Sequence, residues 1–199
     1  MRTLSFVLLF CFSLAARAEP IVIERSSSPD GKFYVTIEPS PDNPHGASGI
    51  LQIRGNNEKG VLGSFEWYQY KSDINPTSAK VLWKPDSQAF ALTTYVGKNW
   101  FGSQIYVRNG SKWVELAIPN YKTKYTEQNG WQDRGKGEFV VVAWLTGNII
   151  KMKKKQDYYR YNKNGQLEVA DDSWIYLKLL RNSCGPFLDV RSVEEKSLN

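Results

Sequence analysis

The sequence predicts an all-β protein built from three antiparallel four-stranded meanders. Three observations carry this. Apolar residues recur with period two, as in Phe33, Val35 and Ile37 alternating with Tyr34, Thr36 and Glu38, the pattern of a strand with one buried face. Turn formers such as Ser28-Pro29-Asp30-Gly31 and Asn109-Gly110 punctuate these runs at short intervals. The composition, with 7 Trp, 11 Tyr, 9 Phe, 15 Gly and 9 Pro, suits pleated surfaces joined by tight turns. An apolar share of 41% is enough for a packed core and excludes a disordered chain. After the first twenty residues nothing approaches the ~18 consecutive apolar residues of a membrane helix.

The first eighteen residues have the order of a secretory leader. Arg2 supplies the positive start, residues 4–14 an apolar stretch too short for a membrane anchor, and Ala16-Arg17-Ala18 small residues before an expected cut at Glu19. Phe10 ahead of Cys11 is too bulky for a lipoprotein signal. The mature part, residues 19–199, is therefore expected to be one all-β domain, secreted or periplasmic, with no lipid. Cleavage would remove Cys11 and leave Cys184 as the single cysteine, so no internal disulfide is expected. Cys184 lies in the turn-like Asn182-Ser183-Cys184-Gly185-Pro186 and is expected to be a buried or half-buried filler. Losing Arg2 and Arg17 lowers the formal net charge from +6 to +4, a weak bias towards anionic surfaces.

The elements follow in order. Residues 21–23 open the first meander; residues 32–38 follow the Pro29-Asp30 turn; residues 49–54 and 61–70 flank the turn at residues 56–60. The pattern restarts at residues 80–83, turns at Lys84-Pro85-Asp86-Ser87 and runs on through residues 89–96. Residues 103–108 and 112–118 pair across Asn109-Gly110, a strong hairpin signal. The third block holds residues 138–145, 149–161, 166–170 and 174–180, with Asn164-Gly165 as a turn. The units thus span about residues 20–70, 78–118 and 138–181. Residues 119–137 are polar and glycine-spotted, a long loop of the kind that carries function. The charged tail, residues 190–199, is expected to fray.

A repeat links the first two units. Ser28-Pro29-Asp30-Gly31-Lys32-Phe33 and Trp83-Lys84-Pro85-Asp86-Ser87-Gln88-Ala89-Phe90 place their prolines 56 residues apart. Pro presets φ, Asp bonds the backbone two residues on, and Gly tolerates the next conformation. The second copy has Ser87 in place of Gly31, and the third block has no Pro-Asp turn. Both copies resemble the W-S-P-D-G-K signature of bacterial β-propeller repeats, in which a blade turns from its first strand into its second. The resemblance implies propeller-blade-like meanders. Three cannot readily close a ring of the usual four to eight blades, so the expected architecture is an open stack or sandwich of three such units, with Phe33, Val35 and Ile37 equivalent to Phe90 and Leu92.

Little in the chain suggests catalysis. His45 is the single histidine, in a Pro-rich surface stretch, and no G-x-S-x-G accompanies it. One His with one Cys cannot supply the usual zinc ligands. Asp30 and Asp86 read as turn residues; Asp171-Asp172 lies between two strands without a calcium-loop pattern. No catalytic residue, metal site or cofactor site is therefore expected. Lys151, Lys153 and Lys155 project to one face of a strand beside Lys154. They either protect an edge strand or form a patch for an anionic polymer or headgroups, with Tyr158, Tyr159 and Tyr161 nearby. Trp67, Tyr68, Trp100, Phe101 and Trp131 stand at strand ends or in loops, where aromatics stack on sugars or anchor a partner; the same side chains also fill β-cores.

The expected function is that of an exported, non-catalytic binding protein. Its partner would be an envelope or extracellular protein or polysaccharide, not nucleic acid. A carboxylate-dependent hydrolase acting on envelope polysaccharide is the second reading, and a structural module that completes its sheets by self-association the third.

Overall fold

The computed structural model describes residues 20–39, 48–57, 60–68, 79–97, 100–121, 127–170 and 173–195. The expected leader, His45 and Asp171-Asp172 lie outside them. The described chain is all-β. A four-stranded antiparallel sheet, order β1-β2-β3-β4, comprises β1 (Ile21–Val22), β2 (Phe33–Pro39), β3 (Ser48–Gly55) and β4 (Val61–Tyr68). A second antiparallel meander follows with β5 (Lys80–Trp83), β6 (Ala89–Gly97), β7 (Trp100–Asn109) and β8 (Lys112–Leu116). Asn109-Gly110 makes the predicted hairpin turn, with Gly110 at φ 64°.

The third unit is β9 (Gln132–Leu145), β10 (Ile149–Tyr161), β11 (Leu167–Ala170), β12 (Ser173–Asn182) and β13 (Gly185–Glu195). β11 and β12 pair successive stretches of the same edge of β10, Tyr158 with Ala170 and Lys154 with Ser173. They act as one interrupted strand, and this unit too is four strands wide. A short parallel pairing of Trp100–Gly102 with Gly137–Phe139 joins it to the second unit as one nine-stranded mixed sheet.

Two cores separate three layers. Phe33, Val35, Ile37, Leu51, Ile53 and Trp67 of the first layer meet Trp83, Phe90, Leu92, Tyr106 and Trp113 of the second. The second layer's opposite face, Ala89, Ala91, Ile105 and Val107, meets Ile150, Met152, Ile175 and Leu177 of the third. Ala89, Phe90, Ala91 and Leu92 all have 0% exposure, because a strand buried on both faces has no polar side to show. The first interface is aromatic: Trp83, Phe90 and Trp113 lie with ring centroids 4.8–5.8 Å apart, and Phe33 stands edge-on to Trp113 at 5.6 Å.

Several expectations need correction. At the 56-residue offset the equivalents of Phe33 and Val35 are Ala89 and Ala91, which point to the second core; Phe90 and Leu92 face Phe33 from the opposing layer. A one-residue slip exchanges the faces of a strand. Residues 190–195 do not fray but belong to β13, whose Leu188 and Val190 pack on the second core. β9 begins at Gln132, inside the segment expected as loop. β10 is flanked by β9 and β12 and is no edge strand. Cys184 is exposed rather than a filler, in a hairpin turn capped by Asn182 Oδ1, which accepts from its N–H at 2.8 Å.

The two Pro-Asp turns have the same wiring. Gly31 N–H donates to Ser28 O and Ser87 N–H to Lys84 O, each at 2.9 Å. Asp30 Oδ1 accepts from Lys32 N–H at 3.1 Å, and Asp86 Oδ1 from Gln88 N–H at 3.0 Å. Gly31 has φ 69° and Ser87 φ 58°, so the serine takes the left-handed conformation that glycine adopts freely. Ser87 is buried, and its Oγ accepts the Asp30 N–H at 3.2 Å, tying one repeat turn to the other. A third turn, absent as a Pro-Asp motif, follows Trp144. Asn148 has φ 62° and stands four residues after Trp144, as Ser87 does after Trp83.

The tryptophans of these turns connect the layers. Trp83 Nε1 donates to Ser26 O at 2.8 Å, and Trp144 Nε1 to Leu82 O at 3.0 Å. Ser26 and Leu82 are equivalent at the repeat offset, so each later layer hooks the same point of the layer before it. Trp83→Phe keeps an aromatic ring but leaves the buried Ser26 carbonyl unpaired; a loss of ~1–3 kcal/mol is expected in urea unfolding.

The turns also make stability acid-sensitive. The Ser28 hydroxyl donates to Asp30 Oδ1 at 2.7 Å and, against the opposing effect of burial, helps hold this carboxyl down to about 2; the Lys32 N–H, Ser87 and the Lys32 charge act in the same sense. Burial would raise Asp86, but the Lys84 ammonium and Gln88 N–H outweigh it and lower that carboxyl as well. A carboxyl depressed by folding stabilises the fold above its unfolded value of 3.8 and loses that contribution as pH falls towards 2. Asp30→Asn is expected to flatten the pH dependence of unfolding across that window, measured by urea midpoints at successive pH values.

Candidate functional site

β9 generates a cleft by changing neighbours along its length. Its pairing with β7 stops at Phe139 opposite Gly102. Beyond that point Val141 N–H donates to Ser103 Oγ at 2.9 Å, and Ser103 Oγ lies 2.6 Å from the Thr93 hydroxyl. Three residues later Trp144 closes on Leu82 O. Between these anchors β9 crosses the face of the second layer and leaves a half-open cleft of about 460 Å³. Leu82, Phe101, Val140 and Val142 give it apolar walls, and Lys80 and Glu138 are its charged members. Val142 is the extra residue of a β-bulge opposite Lys151 and Met152 and is 40% exposed; bulges re-aim side chains in this way. Glu138 also lies 3.6 Å from Lys153.

The five aromatics singled out from sequence do not form one site. Phe101 lies on the cleft and packs edge-on against Tyr95 at 5.0 Å. Trp67 is 2% exposed in the first core, its indole nitrogen without a hydrogen-bond partner among the described residues. Trp131 is 4% exposed and packs on Tyr158, with the Arg160 guanidinium 4.5 Å from its ring centroid. Tyr68 and Trp100 belong to β4 and β7, and their side chains lie outside the described set. Asp30 and Asp86 are turn residues, as expected.

The long connection is pinned at both described ends. Beyond Trp131, Tyr121 stacks on Phe139 at 5.9 Å, and Lys154 Nζ lies 5.2 Å from its ring centroid. Lys154 donates to Tyr158 Oη at 2.5 Å, and burial pushes the Tyr121 hydroxyl up.

Sequence reasoning missed Lys80, Leu82, Glu138, Val140 and Val142. Residues 139–142 read as an ordinary strand, and neither the bulge nor the crossing has a sequence signal. Since Trp131 is buried, Trp131→Ala is expected to cost ~3–5 kcal/mol in chemical denaturation; an unchanged midpoint would contradict its pinning role.

No protein-family model matches the chain, and no curated protein matches it, so the candidate site stands on its geometry.

Proposed function

We propose that this chain is an exported, non-catalytic binding protein and that the cleft between β5 and β9 seats a short apolar segment of a partner protein. The observation that carries the reading is the cleft itself. It is a concave site with apolar walls and two charges of opposite sign, the usual composition of a recognition pocket. The described lining offers one carboxylate, Glu138, already beside Lys153, whereas glycoside hydrolysis uses two acids ~5–9.5 Å apart. The leader-like start of the chain supports export and an envelope or extracellular partner.

Val142 tests the reading because it is exposed and its side chain can be changed without opening a core. Envelope extract is passed over immobilised wild type and Val142→Asp, and captured proteins are compared. Selective capture by wild type, lost in Val142→Asp at an unchanged melting temperature, is the expected result. Equal capture by both proteins, or by neither, would count against the cleft.

A further inference from the structure

We propose that the outward face of the third layer binds an anionic polysaccharide, with Lys151, Trp174 and Tyr176 at its centre. Ile150 and Met152 are fully buried in the second core. Strand alternation therefore turns Ile149, Lys151, Lys153 and Lys155 away from it. These lysines stand on a central strand of the sheet, so protection of an exposed edge does not account for them. Register places Lys151 between Ala143 and Tyr176, and Lys153 between Val140 and Trp174.

Lys151 is held by two aromatic rings. Its Nζ lies 4.1 Å from the Trp174 ring centroid and 5.7 Å from that of Tyr176. Aromatic faces orient an ammonium without cancelling its charge. Lys153 has Glu138 at 3.6 Å, and Glu194 Oε2 accepts from the Tyr176 hydroxyl at 3.1 Å. No described carboxylate lies within ion-pair distance of Lys151 or Lys155. Like charges on alternate residues of one strand stand ~6.6–6.8 Å apart and repel. A linear ligand with repeated negative groups relieves that repulsion, and the row of lysines along one strand suits an extended chain.

The flanking groups favour a sugar polymer. Trp174 and Tyr176 present ring surface, and Val140 and Ala143 present aliphatic surface, beside the lysine row. Sugars offer C–H faces to such surfaces while their acidic groups meet the ammonium groups. Lys151 and Lys153 are half-buried along the sheet rather than raised above it, which suits a chain settling between side chains better than a bilayer surface.

The test uses the exported protein with alginate, a polyuronate, against neutral dextran and against vesicles containing phosphatidylglycerol, read by affinity electrophoresis and vesicle sedimentation. Binding to alginate that weakens with salt, with none to dextran, is expected. Lys151→Ala combined with Lys153→Ala is expected to weaken it about tenfold, through loss of two charge contacts, at an unchanged melting temperature. Val142→Asp should leave it intact, which separates this face from the cleft. Absence of alginate binding at low salt, equal binding by the double variant, or preference for the vesicles would overturn the proposal.

Discussion

An indole N–H crossing from one layer to the backbone of the layer before it sets the geometry of this protein. Trp83 reaches Ser26 O and Trp144 reaches Leu82 O, and the acceptors occupy equivalent places in successive units. Hydrophobic contact between sheets is non-directional and would tolerate sliding of one layer over the next. A buried carbonyl that must find a donor does not, because leaving it unpaired costs ~1–3 kcal/mol. The tryptophan hook therefore fixes register between layers while apolar burial provides most of the attraction. The first unit has Ser27 where the second has Trp83; the described chain has no earlier layer for a tryptophan there to hook.

The middle layer bears the heaviest constraint. β6 alternates Ala with Phe and Leu, small towards the third layer and large towards the first. Large side chains on both faces would push the layers apart, and small ones on both would leave voids. The outer strands are managed differently. β13 is long, yet Pro186 removes a donor near its start and the register shift beside Leu177 interrupts the ladder at Arg191, two of the devices that blunt an exposed edge. β9 carries the corresponding irregularity on the cleft side, where its bulge turns Val142 into the cleft.

The cleft and the lysine face arise from the same strand pair. β9 and β10 turn Val141, Ile150 and Met152 into the second core. Val140 and Val142 line the cleft, and Lys151 and Lys153 stand on the outward face. Glu138 touches both surfaces, lining the cleft and facing Lys153. Substitutions at Glu138, or at Val140, which lines the cleft and pairs with Lys153, would therefore mix the two effects, whereas Val142 and Lys151 keep them apart.

The all-β class, the first two meanders, the Asn109-Gly110 hairpin and the Pro-Asp turns were determined by the sequence alone, because each rests on local chemistry: period-two alternation, φ preferences and side-chain bonds two residues away. The third unit's fourth strand, β13, was expected as a turn and a frayed tail. The tertiary structure decided what depends on partners distant in the chain. Ser87 could be recognised as left-handed only once it stood in Gly31's place with its hydroxyl on the first turn. Trp144 could be recognised as a third repeat only through its bond to Leu82. Trp67 and Trp131 carry no local mark that separates a buried indole from an exposed one; packing between layers buried Trp67, and Tyr158 and Arg160 of the third unit's own β10 cover Trp131. The cleft exists because β9 abandons β7 and crosses to β5, a path set by the hydrogen bonds of Ser103 and Leu82, to which the pattern of apolar residues along β9 is blind.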